Sequence, residues 1–261
     1  MCPSFLLYPP SALEAAMSAV AVVSLAGLGL SELCGFNMAY SKFWHAMAAD
    51  GGRGQKWGIA GVLMPSRTGM LVGYAPAALI AVAASFAVPG VVKAMYLTCV
   101  LSPGPFPSPI QWEHDTATTL TISSTYLLIT GSMIYVQHLS HGLPDPAVNI
   151  LYPGVLVFVV GITGNFYHHY LLSRLRAGGG DGKGYKIPRG CLFELVTCPH
   201  YLFEILGFFG FAMISQTLYA LAMALAILAH LTGRSCATRR WYASKFEDFP
   251  LKIRALVPYV L

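Results

Sequence analysis

Apolar positions fall in long runs along the chain. Residues 12–31 contain one charged side chain, Glu14, while residues 69–91, 117–136 and 147–164 contain none. A helix crossing the roughly 30 Å hydrocarbon core of a bilayer uses about 20 mostly apolar residues, so each run predicts a membrane span. The first run reads as a span rather than a signal peptide, because no basic residue precedes it and the first one is Lys42. A fifth run starts with "LVTCPHYLFEILGFFG", residues 195–210, and is broken only at Ser215-Gln216-Thr217. Its flanks are both basic, so it should begin and end on one side. That predicts two helices, about 199–214 and 217–233, the first opening at Pro199, where a missing N–H costs nothing.

Composition agrees: 56% of residues are hydrophobic and only 10% charged, with a mean hydropathy of +0.60, whereas soluble domains are about one quarter charged. The six cysteines are scattered without a CxxC pair, which argues against a disulfide framework or zinc site and for small buried hydrophobes. A nucleic-acid partner is not expected, since the basic residues flank spans instead of forming a stripe with stacking aromatics.

Charge placement limits the topology. Of sixteen Lys and Arg, five precede residue 173 and eleven lie between Arg174 and Arg254. Cytoplasmic loops collect Lys and Arg, so 42–67, 174–189 and the basic C-terminal stretch 234–254 are expected in the cytosol. Spans at 69–91, 117–136 and 147–164 give three crossings where parity asks for an even number. The only room is residues 92–116, "VKAMYLTCVLSPGPFPSPIQWEHDT", where Val92–Leu101 is apolar but Pro103, Pro105, Pro107 and Pro109 forbid a continuing helix. The expected fold is all-α: a polytopic membrane protein of seven helical elements, the third in doubt or truncated. "AGGGDGKG", residues 177–184, reads as a flexible loop, because neither a Walker spacing nor a preceding strand supports a phosphate loop.

Ionisable and amide side chains at membrane depth are costly and mark candidate sites. In "GITGNFYHHYLLSRLR", residues 161–176, helical spacing puts Asn165, His169 and Arg176 on one face. Arg174 and Arg176 continue into Lys183, Lys186 and Arg189 with only Asp181 and Glu194 nearby, a cation density suited to phosphate groups. Those cations also fit a simple topological flank, but topology does not need Asn165. His200 and Glu204 lie one turn apart at a helix start. They read either as a ligand-binding pair or as a pair that satisfies itself; two ligands without a third make no metal site. His138, His141, His168 and His169 read as interfacial histidines. In the final stretch Arg234, Thr238 and Trp241 or Tyr242 recur at helical intervals, and "KFEDFP" should stop the helix at Phe249 before Pro250. That stretch also fits an amphipathic segment resting on headgroups.

The ordered motifs "GxN…LLSRLR", "YKIPRGCLFELVTCPHYLFEI" and "RRWYASKFEDFPLKIRALVPYVL" resemble the steroid 5-alpha-reductase family, which includes polyprenol reductases and very-long-chain trans-2-enoyl-CoA reductases. The resemblance covers about residues 160–261, with fainter traces in "NMAYSKF" and "SRTGMLVGYAPA", and plant members of undefined substrate look most similar over the whole chain. It implies a seven-helix protein of the endoplasmic reticulum membrane that uses NADPH to reduce a carbon–carbon double bond conjugated to a carbonyl. Residues 1–159 would form the substrate side, taking a steroid or enoyl lipid from the bilayer, and 160–261 the NADPH-binding part. Carried over by position, Asn165, His169 and Arg176 would lie along the cofactor, Tyr185 and Lys186 beside its phosphates, and His200, Glu204, Arg234 and Tyr242 would complete its contacts.

Two departures qualify this. Steroid-reducing members carry a second-helix glutamate that engages the substrate carbonyl, where this chain has Tyr74. A phenol with a reference pKa of about 10 can still donate a hydrogen bond to an oxyanion, so Tyr74 reads either as a catalytic donor or as a packing aromatic. The third-helix motif, His-Tyr/Phe-x-x-Arg, has no counterpart in residues 92–116, the stretch where charge parity also failed. Two functions therefore stay open: an NADPH-dependent reductase, or a catalytically impaired membrane protein that keeps nucleotide binding.

Overall fold

The computed structural model describes residues 6–36, 63–87, 113–177 and 186–261. The described residues form six α-helices, a short 3-10 turn and a small ribbon. The helices are α1 (Ala12–Leu33), α2 (Ser66–Ala87), α3 (Thr116–Leu139), α4 (Leu151–Ala177), α5 (Pro199–Ser215) and α6 (Leu218–Lys245). Three of them, α1, α4 through Leu175, and α6, are long and apolar enough to cross a membrane. The chain is a helical, multi-pass membrane protein. The doubtful third of the seven expected elements would fall at 92–116, of which residues 92–112 lie outside the described residues.

Local chemistry sets the helix ends. Ser11 caps α1, its Oγ accepting from Glu14 N at 3.1 Å. The other end closes in a Schellman turn: Gly35 adopts φ +93°, its N–H reaches Glu32 O at 3.2 Å and Phe36 N reaches Ser31 O at 2.9 Å. The predicted break at 215–217 is a real corner. Gln216 ends α5 in a left-handed conformation and Thr217 caps α6, accepting from Ala220 N. The Gln216 amide donates to both Leu6 O and Val148 O at 2.8 Å, tying the leads into α1 and α4 to this corner. The last helix departs from expectation: instead of ending near 233 or at Phe249 it runs unbroken from Leu218 to Lys245.

The helices pack in pairs, α1 on α6, α4 on α5 and α2 on α3, with α5 against α6 joining the first two pairs. The main core lies among Phe158, Phe208, Phe211, Ile214, Met223 and Leu256, and reaches Ala77 of α2 and Met133 and Val136 of α3. The sequence pattern did not anticipate the three-residue antiparallel ribbon, β1 (Leu63–Pro65) with β2 (Glu113–Asp115), which brings the starts of α2 and α3 together.

Close helix approach depends on glycine. A Cβ at Gly161 of α4 would collide with the backbone of Gly207 in α5, and one at Gly233 of α6 with the backbone of Gly29 in α1. Between apolar helices in lipid, small residues permit the backbone contact that holds a pair together.

Candidate functional site

The α4/α5 contact brings the first two predicted clusters together. Asn165 Nδ2 donates to the carbonyl of His200 at 2.9 Å, tying α4 to the first turn of α5. The His169 and His200 rings meet edge to face, centroids 5.0 Å apart. Glu204, one turn further along α5, is half-buried and makes no hydrogen bond or ion pair among the described residues. The glycine contacts permit this geometry, since a side chain at Gly161 or Gly164 would push against Gly207 or the Phe203 ring.

The adjacent histidines of α4 diverge, as neighbours on a helix must. His168 is buried at 4% exposure, not interfacial as its sequence suggested: its Nδ1 lies 2.7 Å from Gly164 O and its ring stacks on Phe203. Phe193, from the 3-10 turn Cys191–Glu194, closes over that ring edge-on. The loop before α5 is thereby docked onto the face next to His169.

The same loop reaches the end of α6. Lys186 is exposed, and Ile187 packs on a cluster of Tyr242, Phe249 and Ile253, where Tyr242 stacks on Phe246 and Phe249. Further on, the stretch after α6 pairs with the lead into α5: Val196 bridges Arg254 in parallel, Thr197 N donates to Arg254 O at 2.8 Å and Cys198 N to Ala255 O at 3.2 Å. Residues 186–188, the start of α5 and the segment after α6 thus form one end of the molecule. Sequence motifs flagged all three segments, but the backbone pairing between them had no signal.

The remaining candidates sit apart. Arg234 is sealed in the α1/α6 contact, its Nη1 2.6 Å from Glu32 Oε1, with the two side chains 2% and 0% exposed. Glu32 escaped the sequence reading, though a carboxylate one residue past a candidate span was its available signal. Arg176 occupies the last turn of α4 and Tyr74 the middle of α2, with only their backbones described. Tyr185 lies outside the described residues. The structure thus brings together Asn165, His169, His200 and Glu204, links Lys186 to Tyr242 through Ile187, and holds Arg234 in a separate contact.

Chemically, the α4/α5 end offers an amide, two imidazoles and a carboxylate lacking a donor among the described residues, while Arg174 near the end of α4 and Lys186 before α5 are exposed cations. Such a set suits a ligand that presents hydroxyl or amide donors together with anionic groups.

Comparison with known proteins bears on this end. The family model for 3-oxo-5-alpha-steroid 4-dehydrogenase matches residues 114–261. Steroid 5-alpha-reductase DET2 of Gossypium hirsutum is 44% identical over 108 residues, 41% of either chain. The 3-oxo-5-alpha-steroid 4-dehydrogenase 1 of Rattus norvegicus is 39% identical over a segment of the same length, again 41% of either chain. The very-long-chain enoyl-CoA reductase of Dictyostelium discoideum is 36% identical over 118 residues, 45% of this chain and 39% of its own. The matched segment thus spans about two fifths of these relatives. With helices α3 to α6 and the whole α4/α5 site inside the matched region, the chain belongs to the steroid 5-alpha-reductase family.

Proposed function

We propose that the chain is an NADPH-dependent reductase of a carbon–carbon double bond conjugated to a carbonyl in a lipid, a 3-oxo-Δ4 steroid or an enoyl lipid, in the endoplasmic reticulum membrane with its basic end in the cytosol. The observation that carries this reading is the convergence of Asn165, His169, His200 and Glu204, which has no partner among the described residues, at the end where the basic loop emerges. Relatives named as steroid and enoyl-CoA reductases support the choice of substrate class.

The residues fit such a cofactor on chemical grounds. A half-buried carboxylate without a donor is a standing cost that ribose hydroxyls or a carboxamide would relieve. Arg176, Tyr185 and Lys186 would hold the phosphates, and Tyr242 would limit the site at α6. Asn165 is a positioning residue, because its amide fixes the His200 carbonyl and with it the first turn of α5. Arg234, expected among the cofactor contacts, is instead paired with Glu32 in the α1/α6 contact and is left out of this assignment. Bound there, the reduced nicotinamide would supply the hydride. Tyr74, a phenol neutral at physiological pH, would donate a hydrogen bond to the carbonyl oxygen as negative charge grows on it.

Calorimetric titration of the detergent-solubilised chain with NADPH tests the binding, with Arg176→Ala and Glu204→Ala each expected to weaken it. Cofactor oxidation on adding an enone steroid or an enoyl thioester tests the reaction. Binding without oxidation would support the impaired-protein reading, which the departure at residues 92–116 motivates. No heat with the cofactor would overturn both.

A further inference from the structure

A second basic site lies beyond the α4/α5 end. A cleft of about 230 Å3 opens between the last turns of α6 and the segment that follows it, lined by Cys236, Arg239, Arg240, Arg254, Ala255, Val260 and Leu261. Its charged side chains are three arginines and no acid. Two of the guanidinium groups are held in place from behind. Arg239 donates from Nε to Ile253 O at 2.6 Å and from Nη2 to Leu251 O at 2.7 Å, while Arg240 donates from Nη1 to Leu33 O and from Nη2 to Glu32 O. Carbonyls carry no net charge, so these bonds fix the cations without neutralising them. Each guanidinium keeps further N–H groups, since it has five. Arg254 is exposed and forms no ion pair among the described residues. Three like charges around one cleft, two of them held in place, repel one another, and a multivalent oxyanion relieves that repulsion while accepting forked hydrogen bonds.

We propose that this cleft binds the phosphate of an anionic membrane lipid. The surroundings select a lipid over a soluble anion. Leu251, Tyr259 and Val260 are 72%, 79% and 77% exposed beside the arginines. A phenol and two aliphatic side chains beside cations, at the basic end of a helix apolar enough to span a membrane, match the boundary between headgroups and acyl chains. A bound lipid would also brace the candidate site. The Arg254 carbonyl accepts the Thr197 N–H and the Arg254 N–H donates to Leu195 O, so the cleft and the lead into α5 share one backbone pairing.

The test is native mass spectrometry on the full chain, titrated with dihexanoyl phosphatidic acid, dihexanoyl phosphatidylcholine or inorganic phosphate. The expected result is selective retention of phosphatidic acid, weakened about five-fold by Arg254→Gln and unchanged by Lys252→Gln, an exposed cation of the same segment outside the cleft. Arg254→Lys should keep most of the binding and guards against misfolding of the Gln variant. Equal losses in the Gln variants at 252 and 254, or none, would mean diffuse surface charge and overturn the proposal. Inorganic phosphate binding as tightly as the lipid would overturn the choice of lipid. Displacement by saturating NADPH would assign the cleft to the cofactor and likewise overturn it.

Discussion

The contacts α1/α6 and α4/α5 use the same devices to opposite ends. In each, a glycine lets two backbones meet and polar side chains cross between the helices. In α1/α6 the polar groups serve the pair itself. Glu14 accepts from Tyr219 N at 3.0 Å at the start of α6, Arg240 caps the Glu32 and Leu33 carbonyls at the end of α1, and the Glu32–Arg234 pair fills the interior. In α4/α5 the Asn165 amide donates to the His200 carbonyl, while Glu204 has no hydrogen-bond or ion-pair partner among the described residues. A contact whose buried charges compensate each other is built to stay shut, whereas one whose carboxylate has no cationic or donor partner among the described residues is prepared for a ligand.

The largest effect should come from breaking the closed contact. Arg234→Ala strands the Glu32 carboxylate at zero exposure, and removing one partner of a buried pair costs about 3–5 kcal/mol. Thermal unfolding in detergent should show it as a large loss of stability. The double variant Glu32→Leu with Arg234→Met, apolar on both sides, should regain most of it. If the double variant is as unstable as the single, the pair's role is something other than mutual charge compensation.

Next comes a steric attack on the open contact. Gly161→Leu forces a side chain against the Gly207 backbone. Overpacking typically costs about 1–3 kcal/mol, less than the stranded charge, but here it should also abolish NADPH binding by moving Asn165 away from His200. Retained affinity at reduced stability would separate the glycine contact from the site.

How much of this was legible in the sequence follows from the range of each signal. The Ser215–Thr217 break, Pro199 as a helix start and the face shared by Asn165 and His169 are local patterns, and the structure has all three. Helix pairing is not local. Gly29 and Gly233, or Glu32 and Arg234, are about two hundred residues apart, and no periodicity links them. Arg234 was therefore read by its own spacing along α6, without the carboxylate that holds it. The same holds for His168, which looked like its neighbour until Phe193 and Phe203 enclosed it.

Glu204→Gln sharpens the comparison at smaller cost. If Glu204 is kept for a ligand, replacing its charge should leave the unfolding temperature unchanged or slightly higher, because no partner among the described residues loses a bond. NADPH affinity should fall about ten-fold, the worth of one charge-assisted hydrogen bond of about 1.4 kcal/mol. A large stability loss instead would make Glu204 a structural residue like Glu32 and erase the distinction between the two contacts.

The smallest effect belongs to the opposite end of the molecule, where neither contact is involved. Tyr8 Oη donates to Asp145 Oδ1 at 2.8 Å, joining the lead into α1 to the loop before α4. Burial pushes the phenol up to about 12, and the hydrogen bond and charge of Asp145 add to it. A folded value above the usual one of about 10 means that the neutral phenol stabilises the fold. That stabilisation is fully present below about pH 10 and is lost as pH rises through about 12. Tyr8→Phe should therefore cost about 1 kcal/mol at neutral pH, and the gap from the parent should stay flat to about pH 9 and narrow above it, while NADPH affinity does not move. A gap that closes near neutral pH would show that some other titrating group controls this end, and a change in cofactor affinity would tie it to the α4/α5 site.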